Sequence, residues 1–355
     1  MVVVVSAPIS GSPWIGAWTV NGARLAADEL NRAGGVVMGG AKRRVRIEAL
    51  DHRNSAATAV ANARRAVSLG AAALITDGVG VLAMAGVTDA AHLPVFVTYD
   101  GSREIIDAAA HPTLYRMAPA NRPMANRLAD YLSARRPRIA VLHDDNAYGR
   151  DGAASLHDAV RRDDIPAVAT IEVPAGAASL APQVLRARRS GADTVILWAG
   201  APTVASAVRA IRSADWRVPI YGGPPLEDPL VRQQLAQHPE WVDGLTFVSF
   251  RITAEVGIEP FQRFRTAYEK HFGADDIGVA ASGRPVIQPP DWATYPYDAV
   301  HLVAAALTRA GGAGPQLIEA LHTVSVTGAN GDERNYTATN HEGVSSDDMY
   351  FARFA

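Results

Sequence analysis

Cysteine is absent from all 355 residues, which excludes disulfides, thiolate metal sites and a cysteine nucleophile. Neither charge is in surplus. Thirty-four Lys and Arg face 36 Asp and Glu, a formal net charge of −2, so nothing suggests the basic stripe that nucleic acid demands. The arginine pairs Arg43-Arg44, Arg64-Arg65, Arg135-Arg136, Arg161-Arg162 and Arg188-Arg189 are scattered and read as solvated helix faces and strand starts. No apolar run reaches the roughly 18 residues of a membrane helix. No signal peptide precedes the apolar strand Val2–Val5. That fits a cytoplasmic protein, or a mature chain freed of its leader with Met1 supplied. Catalytic signatures are missing too: no Gly-x-Ser-x-Gly elbow, no phosphate-binding Gly-x-x-x-x-Gly-Lys-Ser/Thr loop and no His-Glu-x-x-His. The ten histidines are dispersed, and His143-Asp144-Asp145 is the nearest approach to a metal cluster. Asp77-Gly78-Val79-Gly80 lacks the third glycine of a dinucleotide loop. No enzyme activity, metal or cofactor is expected.

What is present is a recurring strand–turn–helix unit. Ile139–Leu142 is an apolar strand, His143–Ala147 a polar turn, and a helix runs from there toward Ala159. The N-terminus repeats the layout with Val2–Val5, the Ser/Gly/Pro turn Ser6–Pro13 and a helix from Trp14 to Asn31. Apolar strands alternate with amphipathic helices along the chain, the signature of parallel α/β sheets. The length exceeds the ~250–300 residues at which one core stops growing, so two cores are expected. Ligands of such sheets lie outside the carboxyl ends of the strands, where these turns sit. Gly273–Trp292 reads as a long Gly/Pro-rich loop, and Tyr336–Asn340 with Met349–Phe354 as a closing pair of short strands.

The order of these units resembles the type I periplasmic binding proteins. More narrowly, it resembles the substrate-binding proteins of branched-chain amino acid ABC transporters. The residues that carry the likeness are Pro8-Ile9-Ser10-Gly11, the run from Asn21-Gly22-Ala23 to Glu29-Leu30-Asn31-Arg32-Ala33-Gly34-Gly35-Val36, Asp51, His143-Asp144-Asp145 with Tyr148-Gly149, and Tyr297-Asp298-Ala299-Val300. The resemblance covers essentially the whole chain. It implies two doubly wound parallel-sheet lobes joined by three crossovers: 1–118 plus 251–324 as the N-terminal lobe, and 119–250 plus 325–355 as the C-terminal lobe. A ligand would be clamped between them by hinge closure.

In that family, turns after the third and fourth strands hold a ligand carboxylate. The corresponding turns here are Asp77-Gly78-Val79-Gly80 and Tyr99-Asp100-Gly101-Ser102, with Gly78 and Gly101 where the family has hydroxyl side chains. Backbone amides and Ser102 remain as donors, while Asp77 and Asp100 bring negative charge or serve as local caps. The family glutamate that meets an ammonium falls at Pro224, leaving Glu227 to reach in from three residues on or to start a helix beside Asp228. Trp14, Tyr148 and Trp292 match aromatic pocket positions; Trp198 and Tyr99 close strands and serve either pocket or core. Trp18 is a core residue on this reading. Large rings beside small glycines describe a roomy, mostly apolar small-molecule site, and with Asp100 nearby an aromatic cage for a cation is a further reading.

Two functions follow from the resemblance. One is a periplasmic or extracellular solute-binding protein, at the membrane periphery and in full-length form lipid-anchored, a monomer that delivers an amino acid or an aromatic or apolar carboxylate to an ABC permease. The other is an amide- or amino-acid-responsive sensor on the same fold, relaying occupancy to a partner protein.

Overall fold

In the computed structural model, which describes residues 1–250, 259–273, 275–279, 285–288, 291–343 and 349–354, the strands form two separate main sheets. The first lobe runs through β1 (Val2–Ala7), α1 (Pro13–Arg32), β2 (Val36–Met38), β3 (Ala41–Arg43), β4 (Arg46–Asp51), α2 (Ala56–Ser68), β5 (Ala73–Thr76), α3 (Val81–Ala90), β6 (Val95–Val97) and β7 (Leu114–Arg116). Its sheet has the order β4-β1-β5-β6-β7 with every neighbouring pair parallel. Val3, Val4, Val5, Leu74 and Ile75 are fully buried, because helices cover both faces of these central strands. The glycines after α1 serve a hairpin: Gly39 and Gly40 take φ values of +54° and +78°, the left-handed pair that a tight β2–β3 turn requires.

The second lobe contains α4 (Asn121–Ser133), β8 (Ile139–Asp144), α5 (Ala147–Arg162), β9 (Ala167–Val173), α6 (Ala181–Arg189), β10 (Thr194–Trp198), α7 (Ala201–Ser213), β11 (Ile220–Gly222), α8 (Pro229–Gln234) and β12 (Thr246–Phe250). These strands make a parallel core in the order β12-β11-β10-β8-β9. The chain then gives α9 (Glu259–Phe272), β13 (Asp275–Val279), β14 (Pro285–Gln288), α10 (Thr294–Ala310), α11 (Pro315–Leu321), β15 (Ser325–Thr327), β16 (Glu333–Asn335) and β17 (Met349–Arg353). β17 adds antiparallel to β12, and β13 and β14 extend the sheet beyond it to eight strands. Residues 117–120 lead from the first sheet to α4 of the second, and the β13–β14 hairpin adds to the second sheet.

The elements differ from the sequence reading in two places. Within the expected loop Gly273–Trp292, two strands form, because β17 supplies a distant edge to pair with. Tyr336–Asn340 forms only a Thr337–Asn340 bridge, while Met349–Arg353 pairs with β12 rather than with it. The hairpin β15–β16, placed in the second lobe by the sequence division, packs instead on the first. Arg334 is 3.0 Å from Asp298 of α10, and the Tyr336 hydroxyl donates to the Arg116 carbonyl at 2.7 Å. Conversely, β13 and β14, placed in the first lobe, belong to the second sheet.

Candidate functional site

A cavity of about 580 Å³ lies between the carboxyl ends of the two sheets. The first lobe lines it with residues 11–15, Asn54, Asp77, Val79, Tyr99 and Asp100. The second contributes 146–148, 200–202, Pro225, 228–230 and Gln233. Of the residues expected from sequence, Trp14, Asp77, Tyr99, Asp100 and Tyr148 are thus brought together on its wall.

The two first-lobe turns are closed by their own aspartates. Asp77 Oδ1 accepts from His52 Nε2 at 2.9 Å, from the Val79 amide at 3.1 Å and from Thr76 Oγ1 at 3.3 Å. The Gly78 amide donates to Thr76 Oγ1 at 3.3 Å, and the Asp100 amide to the Asp77 carbonyl at 2.8 Å. Asp100 Oδ1 accepts from both the amide and the hydroxyl of Ser102, at 2.8 and 2.6 Å. The buried Arg116 guanidinium then donates to the carbonyls of Asp100 (2.5 Å) and Ser102 (2.7 Å), fixing the turn from behind. Ser102 is fully buried and turned toward Asp100, away from the cavity wall. Gly78 lies against Asp100, and Gly101 against Asn121, whose amide donates to the Gly101 carbonyl at 2.7 Å. These three residues shape the turn without lining the cavity.

On the other side, α5 starts at the Asn146 cap, which accepts from the Gly149 amide at 2.9 Å and sets Tyr148 in the wall. The Tyr148 hydroxyl is buried and faces Gly223, and among the described residues neither it nor the Trp14 indole N–H has a hydrogen-bond partner. Burial raises the Tyr148 hydroxyl well above its usual range, with Asp100 and Asp144 adding to the effect. Trp198 stands behind Tyr148, its ring centroid 6.5 Å away. It is fully buried, donates to Asn121 Oδ1 at 3.3 Å, and packs where Gly152 leaves room.

Glu227 and Trp292 also lie behind the lining. Both are buried, and the Trp292 indole N–H donates to Glu227 Oε1 at 2.5 Å, linking the second lobe to the first. Trp292 meets Tyr99 edge-on at 4.7 Å and packs on Trp18 at 5.9 Å. Burial pushes the Glu227 carboxyl up to about 8, opposed by the Trp292 hydrogen bond and reinforced by Asp228. Asp228 itself caps α8, accepting from the Leu230 amide at 2.9 Å, and burial raises its carboxyl too. A second bridge between lobes joins Arg103 and Asp151 at 2.7 Å, with Asn121 Nδ2 also donating to Asp151 at 3.0 Å.

Sequence reasoning passed over Asn54, Asn146, Asp228, Leu230 and Gln233 as lining residues. Asp228-Pro229 carried a usable signal, since an aspartate cap before a first-turn proline marks a helix start pointing at the strand ends. His143 forms the end of β8 rather than a turn, with its Nδ1 3.0 Å from the Asp144 carbonyl. Among the described residues, no three His, Asp or Glu side chains converge as a metal site requires.

A family model described as periplasmic binding protein matches residues 3–355. Among curated proteins nothing matches. Similar solved structures include a periplasmic binding protein type 1 from Bordetella pertussis Tohama I, 19% identical, covering 99% of this chain and 95% of its own, with a TM-score of 0.84. Another is the branched-chain amino acid transporter substrate-binding protein of Streptococcus pneumoniae in complex with isoleucine (18% identical, 99% of each chain, TM-score 0.80). A third is an ABC transporter solute-binding protein from Rhodopseudomonas palustris BisB5 in complex with 3,4-dihydroxybenzoic acid (17% identical, 99% of this chain and 92% of that one, TM-score 0.78).

Proposed function

The chain belongs to the periplasmic binding protein family, and we propose that it is an extracytoplasmic solute-binding protein that captures a small organic molecule and delivers it to an ABC permease. The observation that carries this reading is the cavity of about 580 Å³ walled from both lobes, with the aromatic side chains Trp14 and Tyr99 on one side and Tyr148 on the other. A cavity of this size, mostly apolar with a few polar groups, suits one small ligand. Both walls would gain contacts from the same molecule, so the ligand favours the closed form over the open one. On this reading the lobes are 1–118 with 259–273 and 291–343, and 119–250 with 275–279, 285–288 and 349–354. The protein acts as a monomer, without a covalent step or a cofactor.

A thermal-shift screen tests the reading. Amino acids, aromatic and aliphatic carboxylates, amides and amines form the panel, and small-angle X-ray scattering follows the hits. A ligand at about 100 times its dissociation constant adds roughly 2.7 kcal/mol. The expected result is such a shift together with a smaller radius of gyration. Silence across the panel, or a shift without compaction, would count against the reading.

A further inference from the structure

The charge on the cavity wall is of one sign. Asp77, Asp100 and Asp228 line it, and among the described residues the lining includes no lysine, arginine or histidine. Asp77 has His52 behind it, whereas Asp100 and Asp228 accept from neutral donors, the Ser102 amide and hydroxyl and the Leu230 amide.

Several helices begin at this cavity, and helix N-termini ordinarily favour anions. Here the leading donors of three of them are already engaged. The Val79 amide ahead of α3 goes to Asp77, the Gly200 amide ahead of α7 to Asp144 at 2.8 Å, and the Leu230 amide of α8 to Asp228. Prolines begin α1 and α8 and follow the first residue of α7, and proline has no N–H to offer. In the Asp77 and Asp100 turns, the chain's own carboxylates take the hydrogen bonds that a bound carboxylate would need. A ligand anion at this end would find occupied donors and facing negative charge.

Three aromatic side chains, Trp14, Tyr99 and Tyr148, stand in the same wall among aliphatic and amide residues. Ring faces combined with carboxylates are the chemistry that recognises a positively charged nitrogen. We infer that the cleft takes a small organic cation, an amine or quaternary ammonium compound with an apolar body, and discriminates against carboxylates. The raised Tyr99 hydroxyl agrees with this: after burial, Tyr148, Asp228, Glu227 and Asp77 all oppose a further negative charge there. The inference rests on the solute-binding reading and narrows its ligand.

The test uses four compounds that share one ring and differ in charge: 2-phenylethylamine, 2-phenylethanol, phenylalanine and phenylacetate. Binding is read by thermal shift and compaction by X-ray scattering, with the full chain. The amine is expected to bind about tenfold or more tighter than the other three. In Asp100→Ala, which frees the Ser102 amide and hydroxyl, the amine is expected to lose about tenfold and phenylacetate to gain. Circular dichroism checks that this variant is folded; Asp228→Asn supplies the same loss for the amine if it is not. Tighter or equal binding of the alcohol, amino acid or acid overturns the inference. If one of those compacts the lobes, the solute-binding reading survives alone; if no compound of any charge binds, both fall.

Discussion

Gly78 shows how narrowly the cleft wall is built at the level of one residue. Its φ of +125° is a left-handed conformation that side chains resist, and an added Cβ would stand 2.4 Å from the Asp100 Cβ. Gly78→Ala is therefore expected to cost about 1–3 kcal/mol, measured by urea unfolding, and to weaken ligand-induced stabilisation by displacing Asp100. The lining aromatics were legible in the sequence, Tyr99 because it follows an apolar strand, and Trp14 and Tyr148 because they match aromatic positions of the family the chain resembles. The partners of Glu227 and Asp77 were not. Trp292 is 65 residues from Glu227 and His52 is 25 from Asp77, and only the folded chain brings them together.

Among the elements, the β15–β16 hairpin is tied to α10 by a buried ion pair. The side chains of Arg334 and Asp298 are 0% and 1% exposed and 3.0 Å apart, and Asp298 also accepts from the Ala329 amide at 2.8 Å. Burial raises the Asp298 carboxyl, and Arg334 is the principal influence holding it down. Arg334→Met would strand a buried carboxylate at a cost of about 3–5 kcal/mol, and adding Asp298→Asn should recover part of the loss. Chemical denaturation of the single and double variants measures both. The alternating strands and helices of both lobes were readable because each central strand is a short apolar run between turns. The β13–β14 hairpin was misread because its place is set from outside its own sequence, Asp275–Val279 joining an edge made by the distant β17.

Across the whole molecule, the two lobes meet beside the cavity through contacts of unequal character. Arg103–Asp151 is partly exposed, and such pairs contribute little. Trp292–Glu227 is buried and cannot be replaced by water while the lobes stay together. Opening the lobes would return Glu227 to solvent and its carboxyl from about 8 toward 4.5. Between those values the closed form therefore holds a proton that the open form has released. Stability of closure is full at low pH and is lost as pH rises through the raised value, because the state that binds more protons loses ground as protons become scarce. The proton thus becomes a second ligand of the cleft, taken up with the first. Calorimetric titrations at neutral pH in buffers of different ionisation heat should give different apparent binding enthalpies. Affinity should fall as pH rises from about 4.5 to about 8 and level off above that, and Glu227→Gln should diminish both effects. A cleft of this kind would hold its cargo most firmly where the surroundings are acidic and release it most readily where they are not.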